Sequence, residues 1–445
     1  MSRISRVLTL VPVALLFGTI LIAPASASAA ATPRCFGVRA TIVGTGGADV
    51  LVGTDRKDVI VGKSGADMIK GKGRADLVCA GGGGDEVKGG DGIDLLFGNG
   101  GGDRLIGGPG SFNQIVPGPG DDFVNGGPAT GDELIYLPAA NGVVADLGAG
   151  IVTGEGTDEV VNVEWLIGSS HDDVLRGADD QHEVIFGANG NDVIEGLGGD
   201  EFLAGGAGDD EVDGGDGFDV LVDMVLADIY GLTPVTGPLT VNLATGMLAG
   251  NGSDTLAAID GSHGSPGNDV MTGNDGDNDF IVLIDGADTV DAAGGSDLVD
   301  GGDGADDLDG GSGTDLLGNL DSTAGITLDL GAGTTSQGDS HDNFEDILGT
   351  FFDDVLTGDS GANVIEGSDG ADELFGGVGN DVLFGGWSDG FDDGSPDSAD
   401  GGDGTDECDA ETETNCEADP TVSAASYASW NVGARGGWLG RLRLV

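Results

Sequence analysis

The clearest copy of a repeated nine-residue unit is Gly376-Gly377-Val378-Gly379-Asn380-Asp381-Val382-Leu383-Phe384. Its sixth residue is an aspartate, and an apolar residue follows two places later. The same pairing recurs near the start of the chain at steps of nine residues without slippage, at Asp49, Asp58, Asp67, Asp76, Asp85, Asp94 and Asp103. A period held over so many units indicates a repeat array rather than a set of separate globular domains.

Composition excludes several classes of protein. Of 445 residues, 90 are Gly and 79 are Asp or Glu, against 16 Lys and Arg, which gives a net charge of −63. A nucleic-acid-binding protein needs a basic surface, and collagen needs far more proline than the 13 present. An apolar content of 38% exceeds that of a simple acidic disordered tail. Acids that recur at fixed spacing favour a metal cation over a basic protein as the partner.

The repeats fall into four arrays, which we place at residues 42–135, 169–222, 265–318 and 350–409. The sixth residue of each unit is the candidate metal ligand. In the first array the candidates are Asp49, Asp58, Asp67, Asp76, Asp85, Asp94, Asp103, Asn113 and Asp122; in the second, Asp173, Asp192, Glu201, Asp210 and Asp219; in the third, Asp269, Asn278, Asp288, Asp297, Asp306 and Asp315; in the fourth, Asp354, Asn363, Asp372, Asp381 and Asp406.

The unit predicts both a backbone path and a metal site. Six residues rich in Gly form a turn, and three more form a short strand whose single apolar side chain points inward. Two units close one coil, and coils stack about 4.8 Å apart, so alternate aspartates form two columns. Neighbouring carboxylates at that spacing repel by about 3–4 kcal/mol at an effective dielectric of 20. Calcium reverses this, because it accepts six to eight oxygens in irregular geometry, whereas magnesium demands a tighter octahedron.

The unit has the form G-G-x-G-x-D-x-U-x, where U is apolar, and it resembles the RTX (haemolysin-type) calcium-binding repeat family. The resemblance covers most of residues 42–409. It implies several Ca²⁺ ions held between adjacent turns by aspartate side chains and turn carbonyls. We therefore predict an all-β fold, a parallel β-roll solenoid of nine-residue repeats with interspersed hairpin inserts, whose folding is coupled to calcium binding.

Some units depart from the pattern. Arg56 and Arg74 replace the glycine two places before Asp58 and Asp76, within a region that holds ten of the sixteen basic residues. A fixed cation there predicts weaker calcium binding along that column, and tolerated surface variation is the alternative. Units around Asn113, Asn278 and Asn363 lose a charge but keep an oxygen. The insertion at residues 181–185 predicts poor binding there.

The segments between the arrays, at 136–168, 223–264 and 319–349, alternate apolar and polar residues before a glycine-rich turn. This pattern is typical of a β-hairpin or of extra strands. We interpret them as spacers that continue the stack. A ligand-binding insert is the alternative, since insertions tend to lie on one face of a solenoid.

The ends of the chain show processing and capping signals. Residues 1–30 have the basic start, apolar run and small-residue cleavage site of a secretory signal, which predicts export and no membrane span once the signal is removed. Residues 31–41 then form a strand that caps the stack. We favour Cys35 pairing with Cys79 and Cys408 with Cys416 among the three pairings that four cysteines allow. Residues 410–445 form a C-terminal cap or tail.

No sequence pattern of a catalytic site is found, so we expect a protein that is not an enzyme. The favoured function is extracellular calcium binding that rigidifies a structural, cell-surface or matrix protein. Alternatives are a non-catalytic RTX module of a toxin- or enzyme-associated secreted protein, and a passive cation store.

Overall fold

A computed structural model of the chain describes residues 33–179, 181–222, 237–250, 252–281, 285–319, 322–386, 395–410 and 412–416. These residues form short β-strands joined by turns, with no helix among them. They divide into two compact units that meet in sequence at residues 263 and 264. The predicted signal at 1–30 and the tail beyond residue 416 lie outside the described residues.

The strands of the first unit are β1 (Arg34–Cys35), β2 (Val38–Arg39), β3 (Ile42–Val43), β4 (Val50–Val52), β5 (Val59–Ser64), β6 (Met68–Gly73), β7 (Leu77–Gly82), β8 (Glu86–Asp91), β9 (Leu95–Gly100), β10 (Arg104–Ile106), β11 (Gln114–Val116), β12 (Phe123–Asn125), β13 (Glu133–Ile135), β14 (Val144–Asp146), β15 (Ile151–Thr153), β16 (Thr157–Val161), β17 (Trp165–Ile167), β18 (Val174–Arg176), β19 (Val184–Asn189), β20 (Val193–Gly199), β21 (Phe202–Ala207), β22 (Glu211–Gly217), β23 (Val220–Leu221), β24 (Thr240–Asn242), β25 (Met247–Ala249), β26 (Ser253–Ala257) and β27 (Gly261–His263).

The strands of the second unit are β28 (Val270–Thr272), β29 (Asp279–Ile281), β30 (Asp285–Gly286), β31 (Thr289–Asp291), β32 (Gly294–Gly295), β33 (Leu298–Asp300), β34 (Asp303–Gly304), β35 (Asp307–Asp309), β36 (Ser312–Gly313), β37 (Leu316–Gly318), β38 (Thr327–Asp329), β39 (Thr334–Thr335), β40 (Ser340–Asp342), β41 (Asp346–Leu348), β42 (Val355–Thr357), β43 (Val364–Glu366), β44 (Glu373–Phe375), β45 (Val378–Gly379), β46 (Val382–Phe384), β47 (Ser398–Asp400), β48 (Asp403–Gly404), β49 (Glu407–Asp409) and β50 (Thr412–Thr414).

In the first array, successive strands alternate between two parallel sheets. Strands β4, β6, β8, β10 and β12 pair in one sheet, and β3, β5, β7, β9, β11 and β13 pair in the other. The register steps by one coil of 18 residues, so Leu51 pairs with Ile69 and Ile69 with Val87. The second unit repeats this arrangement, with β28, β31 and β35 on one side and β29, β33 and β37 on the other. The predicted parallel β-roll is therefore confirmed.

The core lies between the two sheets and is built mainly from the apolar residue that follows the acid in each nine-residue repeat. Ile60, Ile69, Val78 and Leu96 have no exposed surface. Each unit contributes one such side chain, so the layers stack aliphatic side chains in a narrow interior. This burial opposes the entropy cost of ordering the backbone, which is largest at glycine.

The turns need backbone that few side chains tolerate. Gly83 has a φ of +130°, and a Cβ there would lie 2.1 Å from the carbonyl oxygen of Gly65 in the preceding coil. Glycine is required at such a position because the left-handed conformation and the close approach both exclude a side chain.

Each insert adds antiparallel strands to one of the sheets. In the first insert, β14, β15 and β16 form an antiparallel meander, with β16 following β12 and β14 leading to β18 in parallel pairing. Strands β24–β26 and β38–β40 form antiparallel meanders in the later inserts. The opposite side continues with one strand, for example β17 between β13 and β19. The expected extra strands are present, and they continue the stack.

Both predicted disulfides are formed. Cys35, in the β1–β2 hairpin, bonds to Cys79 of β7 with a Cα–Cα distance of 5.7 Å, and Cys408 of β49 bonds to Cys416 at 5.9 Å. The first ties the N-terminal hairpin to the first array, and the second closes the last described turn. Within the described part of the chain, no helix has the length and apolar character needed to span a membrane.

Candidate metal centre

The aspartates of successive coils stack in columns that hydrogen bonds hold in register. The backbone N–H of Asp58 donates to Oδ1 of Asp76 at 2.7 Å, and the N–H of Asp76 donates to Oδ1 of Asp94 at 2.7 Å. The same bond links Asp49 to Asp67 and onward along the other side. We call an aspartate interior when it follows the first coil of its column. One carboxylate oxygen of each interior aspartate therefore accepts a backbone hydrogen bond that holds the coils in register.

Every residue predicted as a ligand lies in such a column. The hydrogen-bonded runs are Asp49, Asp67, Asp85, Asp103 and Asp122; Asp58, Asp76, Asp94 and Asn113; Asp173, Asp192 and Asp210; Glu201 and Asp219; Asp269, Asp288 and Asp306; Asn278, Asp297 and Asp315; Asp354 and Asp372; and Asn363, Asp381 and Asp406. All but Asp49 are buried.

The second carboxylate oxygen of the interior residues is buried, and within the described structure it has no hydrogen-bond partner. This holds for Oδ2 of Asp67, Asp76, Asp85, Asp94, Asp103, Asp122, Asp192, Asp210, Asp219, Asp288, Asp306, Asp315 and Asp381. A buried ionised carboxylate oxygen without compensation costs several kcal/mol. Its repetition along the columns indicates that a ligand outside the polypeptide completes them.

These oxygens border a space shared with a backbone carbonyl of the next coil. A Cβ added to Gly89 would lie 2.3 Å from Oδ2 of Asp94 and 2.6 Å from the carbonyl oxygen of Gly107. At Gly71 the same atom would lie 2.3 Å from Oδ2 of Asp76 and 2.5 Å from the carbonyl oxygen of Gly89. Glycine at this position keeps open a gap with oxygens on both sides.

The electrostatics of the columns favour a cation. Burial raises the pKa of Asp94 to about 7; the backbone N–H of Asp76 partly offsets this rise, and the Asp76 carboxylate adds to it. Burial likewise raises the pKa of Asp192 to about 8, with further contributions from the charges of Asp173 and Asp210. Without a cation, the columns that contain Asp94 and Asp192 hold protons near neutral pH.

The donor set fits calcium. Among the residues that the structure describes, no three His, Cys, Asp or Glu side chains converge to hold a metal. A single carboxylate oxygen and neighbouring carbonyl oxygens form an all-oxygen set instead, which suits a hard cation that accepts irregular shells.

Sequence reasoning missed several carboxylates that extend the columns. Asp132 accepts from the N–H of Asn113 at 2.8 Å, and Asp158 of the first insert accepts from Asp122 at 3.0 Å. The further members are Glu164, Asp254, Asp260, Asp339, Glu345 and Asp397. Most of these acids stand two places before an inward apolar residue, as Asp158 does before Val160. That half of the repeat could have revealed them.

The residues that depart from the repeat pattern are accommodated without a change of fold. Arg56 and Arg74 are exposed, and in the described structure neither forms an ion pair with an aspartate. Glu183, within the insertion at 181–185, is buried, and burial raises its pKa to about 7. Weaker calcium binding at both places stays a prediction.

Comparison with known proteins agrees with the geometry. A family model described as the RTX calcium-binding nonapeptide repeat (4 copies) matches residues 41–78, 80–111, 184–221, 262–281, 284–317 and 347–390. A search of curated proteins finds no significant match. The matched segments cover parts of all four arrays, so the chain carries several copies of the RTX calcium-binding nonapeptide repeat.

Proposed function

We propose that this protein is an extracellular, non-enzymatic calcium-binding scaffold whose β-roll becomes ordered when Ca²⁺ binds between stacked turns. The observation that supports this most directly is the row of buried carboxylate oxygens, such as Oδ2 of Asp76 and Asp94, without a hydrogen-bond partner in the described structure. Calcium binding follows from the repeat family, and the structural role is our inference from the columns.

The residues of the chain position the oxygen atoms of such a site and keep the space between them open. Oδ1 of each interior aspartate fixes the register by accepting the backbone N–H of the coil before it, which aims Oδ2 at the gap. Glycines such as Gly89 leave that gap open beside a carbonyl oxygen. A bound Ca²⁺ would supply two positive charges that offset the repulsion between successive carboxylates.

Three features favour a scaffold outside the cell. Disulfides persist in oxidising compartments, and two are formed here. The N-terminal sequence predicts export. Repeats and inserts that continue the stack occupy most of the described chain, and neither carries a sequence pattern of a catalytic site.

Hydrodynamic size tests the scaffold role against the alternative of a passive cation store. We expect the mature chain to be expanded in chelator and to contract sharply with millimolar CaCl₂, while the same concentration of MgCl₂ leaves it expanded. Size-exclusion chromatography with light scattering measures this. A store would take up calcium, as shown by equilibrium dialysis, at unchanged radius, and that outcome would refute the scaffold role.

A further inference from the structure

The first turn of each array differs from the interior turns in how its carboxylate is bonded. Four residues before Asp49, Asp58, Asp173, Asp269 and Asp354 stands a Ser or Thr, namely Thr45, Thr54, Ser169, Ser265 and Thr350. In each case the backbone N–H of that residue donates to Oδ2 of the aspartate, at 2.6–2.7 Å. Its hydroxyl donates to the same carboxylate at 2.8–2.9 Å.

Both oxygens accept hydrogen bonds in Asp58, Asp173, Asp269 and Asp354, whereas in Asp49 both donors share Oδ2. Asp173 accepts the N–H of Ser169 on Oδ2, and on Oδ1 it accepts the Ser169 hydroxyl and the N–H of Val143 at 2.6 Å. Asp354 is bonded in the same way by Thr350 and by the N–H of Ile326. In the next coil, by contrast, Oδ2 of Asp192 is buried with no hydrogen-bond partner among the described residues.

Backbone conformation separates the two kinds of turn. Interior turns have a left-handed residue four places before the acid, as at Lys72 (φ +94°) and Gly90 (φ +119°). In this conformation the N–H points away from the acid, and that of Gly90 donates to the Gly107 carbonyl oxygen. Thr54 and Ser169 have no such φ, and their N–H turns toward their own aspartate instead. The hydroxyl of Ser169 also accepts the N–H of His171 at 3.1 Å, which fixes the turn locally.

Where the columns pass through inserts, a hydroxyl group likewise donates to the second carboxylate oxygen. The Tyr136 hydroxyl donates to Oδ2 of Asp158 at 2.6 Å, and the Thr335 hydroxyl donates to Oδ2 of Asp339. In the third and fourth arrays, the first residue of the other column is Asn278 or Asn363, whose Oδ1 accepts the N–H four places earlier, from Asn274 or Asp359.

We propose that these hydrogen-bonded turns are calcium-free starting turns: Asp49, Asp58, Asp173, Asp269 and Asp354 do not ligate calcium, and ion binding in each array begins one coil later. In all five turns a backbone N–H is directed at Oδ2, and a hydroxyl donates to the same carboxylate. These donors place positive partial charge where a cation would have to approach, and they use lone pairs that it needs. A starting turn can thus form without an ion and present a template of correct shape to the next coil. This inference rests on the proposed calcium function and divides the candidate ligands into two classes.

A matched pair of variants in one column tests it. Asp173→Asn and Asp192→Asn remove one charge each from adjacent coils and keep an oxygen acceptor. Native mass spectrometry of the calcium-saturated mature chain counts the bound ions. We expect Asp173→Asn to bind the wild-type number of ions and Asp192→Asn to bind at least one fewer.

A gain of binding gives a second readout. Ser169→Gly removes the hydroxyl and permits the left-handed backbone of an interior turn, so we expect it to bind one ion more than the wild type. If either Asn variant of the first pair fails to reach the wild-type far-UV circular dichroism in saturating calcium, Asp58→Asn and Asp76→Asn in the first array provide the same comparison.

The outcomes separate the two claims. Equal ion loss in both members of a pair, or no loss in the interior variant, would overturn the starting-turn assignment while leaving calcium binding intact. A wild-type chain that binds no calcium would overturn the proposed function and, with it, this assignment.

Discussion

The glycine five residues before an interior aspartate keeps the space beside the carboxylate free of a side chain. At Gly89 a methyl group would lie 2.3 Å from Oδ2 of Asp94 and 2.6 Å from the Gly107 carbonyl oxygen, so Gly89→Ala fills the gap and strains the stack. We expect loss of at least one bound ion and a destabilisation of about 1–3 kcal/mol, the usual cost of overpacking. Calcium calorimetry with thermal unfolding measures both.

Gly100→Ala is the control for that change. Gly100 has no left-handed φ, and a Cβ there meets nothing within 4 Å. If the two variants bind calcium with the same stoichiometry and melt together, the gap beside Asp94 has no role in binding.

The basic side chains of the first array test a second local effect. We expect Arg74→Gly to restore the usual turn residue before Asp76 and to tighten calcium binding in the first array severalfold, because a fixed positive charge near the column is removed. Terbium luminescence competition measures the affinity, with Arg176→Gly, outside the first array, as the control. An unchanged affinity would favour tolerated surface variation.

Several buried carboxylates of the columns have raised pKa values in the absence of metal. In the folded chain the pKa is about 7 for Asp94 and Asp122 and about 8 for Asp192, mainly because of burial, against an ordinary value of 3.8. The metal-free fold therefore binds more protons than the unfolded chain. These groups therefore contribute stability that is fully present below about pH 4 and is lost as the pH rises through 7 to 8.

This sign gives a test in resin-treated, metal-free buffer. We expect more β-structure by far-UV circular dichroism at pH 5 than at pH 8, and an apparent calcium affinity that increases over the same interval because ions displace protons. The calcium-saturated chain is the reference at each pH. Metal-free spectra that coincide at the two pH values would contradict the assigned burial of the columns.

The two disulfides differ in the length of chain that they close. Cys35–Cys79 spans 44 residues and Cys408–Cys416 spans 8, so the chain-entropy model gives about 4 and about 2.6 kcal/mol respectively. We expect the Cys35→Ala/Cys79→Ala variant to lose more hydrogen-exchange protection in β7 than the Cys408→Ala/Cys416→Ala variant loses in β49. The reverse order would show that strain or residual unfolded structure dominates.

The regular strands could be predicted from sequence because the nine-residue period determines their positions and pairing. The nine-residue step predicts the strand after Asp67, its pairing one coil later and the buried Ile69. It could not predict that β15 would run antiparallel within the first insert, since alternating residues suit a strand of either direction. It also missed Asp158, whose place in a column depends on the parallel pairing of β16 with β12, which the insert separates in sequence.

The repeat pattern also could not predict the difference between starting turns and interior turns. Asp173 and Asp192 occupy the same position of the repeat, yet the bonding of their second oxygen differs because Ser169 stands where Ala188 stands in the next coil on that side. A small hydroxyl four places before an acid is easily read as turn composition, and its direction becomes visible only with the backbone conformation.

For the whole chain, charge and core point to the same dependence on calcium. A net charge of −63 and one inward apolar residue per repeat leave little to offset the repulsion between the columns and the entropy of the glycines. Binding at many coils would therefore contribute directly to folding, and order would extend from coil to coil as sites fill.

The most direct test is a far-UV circular dichroism titration of the mature, metal-free chain with CaCl₂ at pH 7.5. We predict a largely disordered spectrum that converts cooperatively to a β spectrum as calcium is added and reverts with excess chelator. A chain that is already fully β-structured in chelator, with a spectrum indifferent to calcium, would contradict the account.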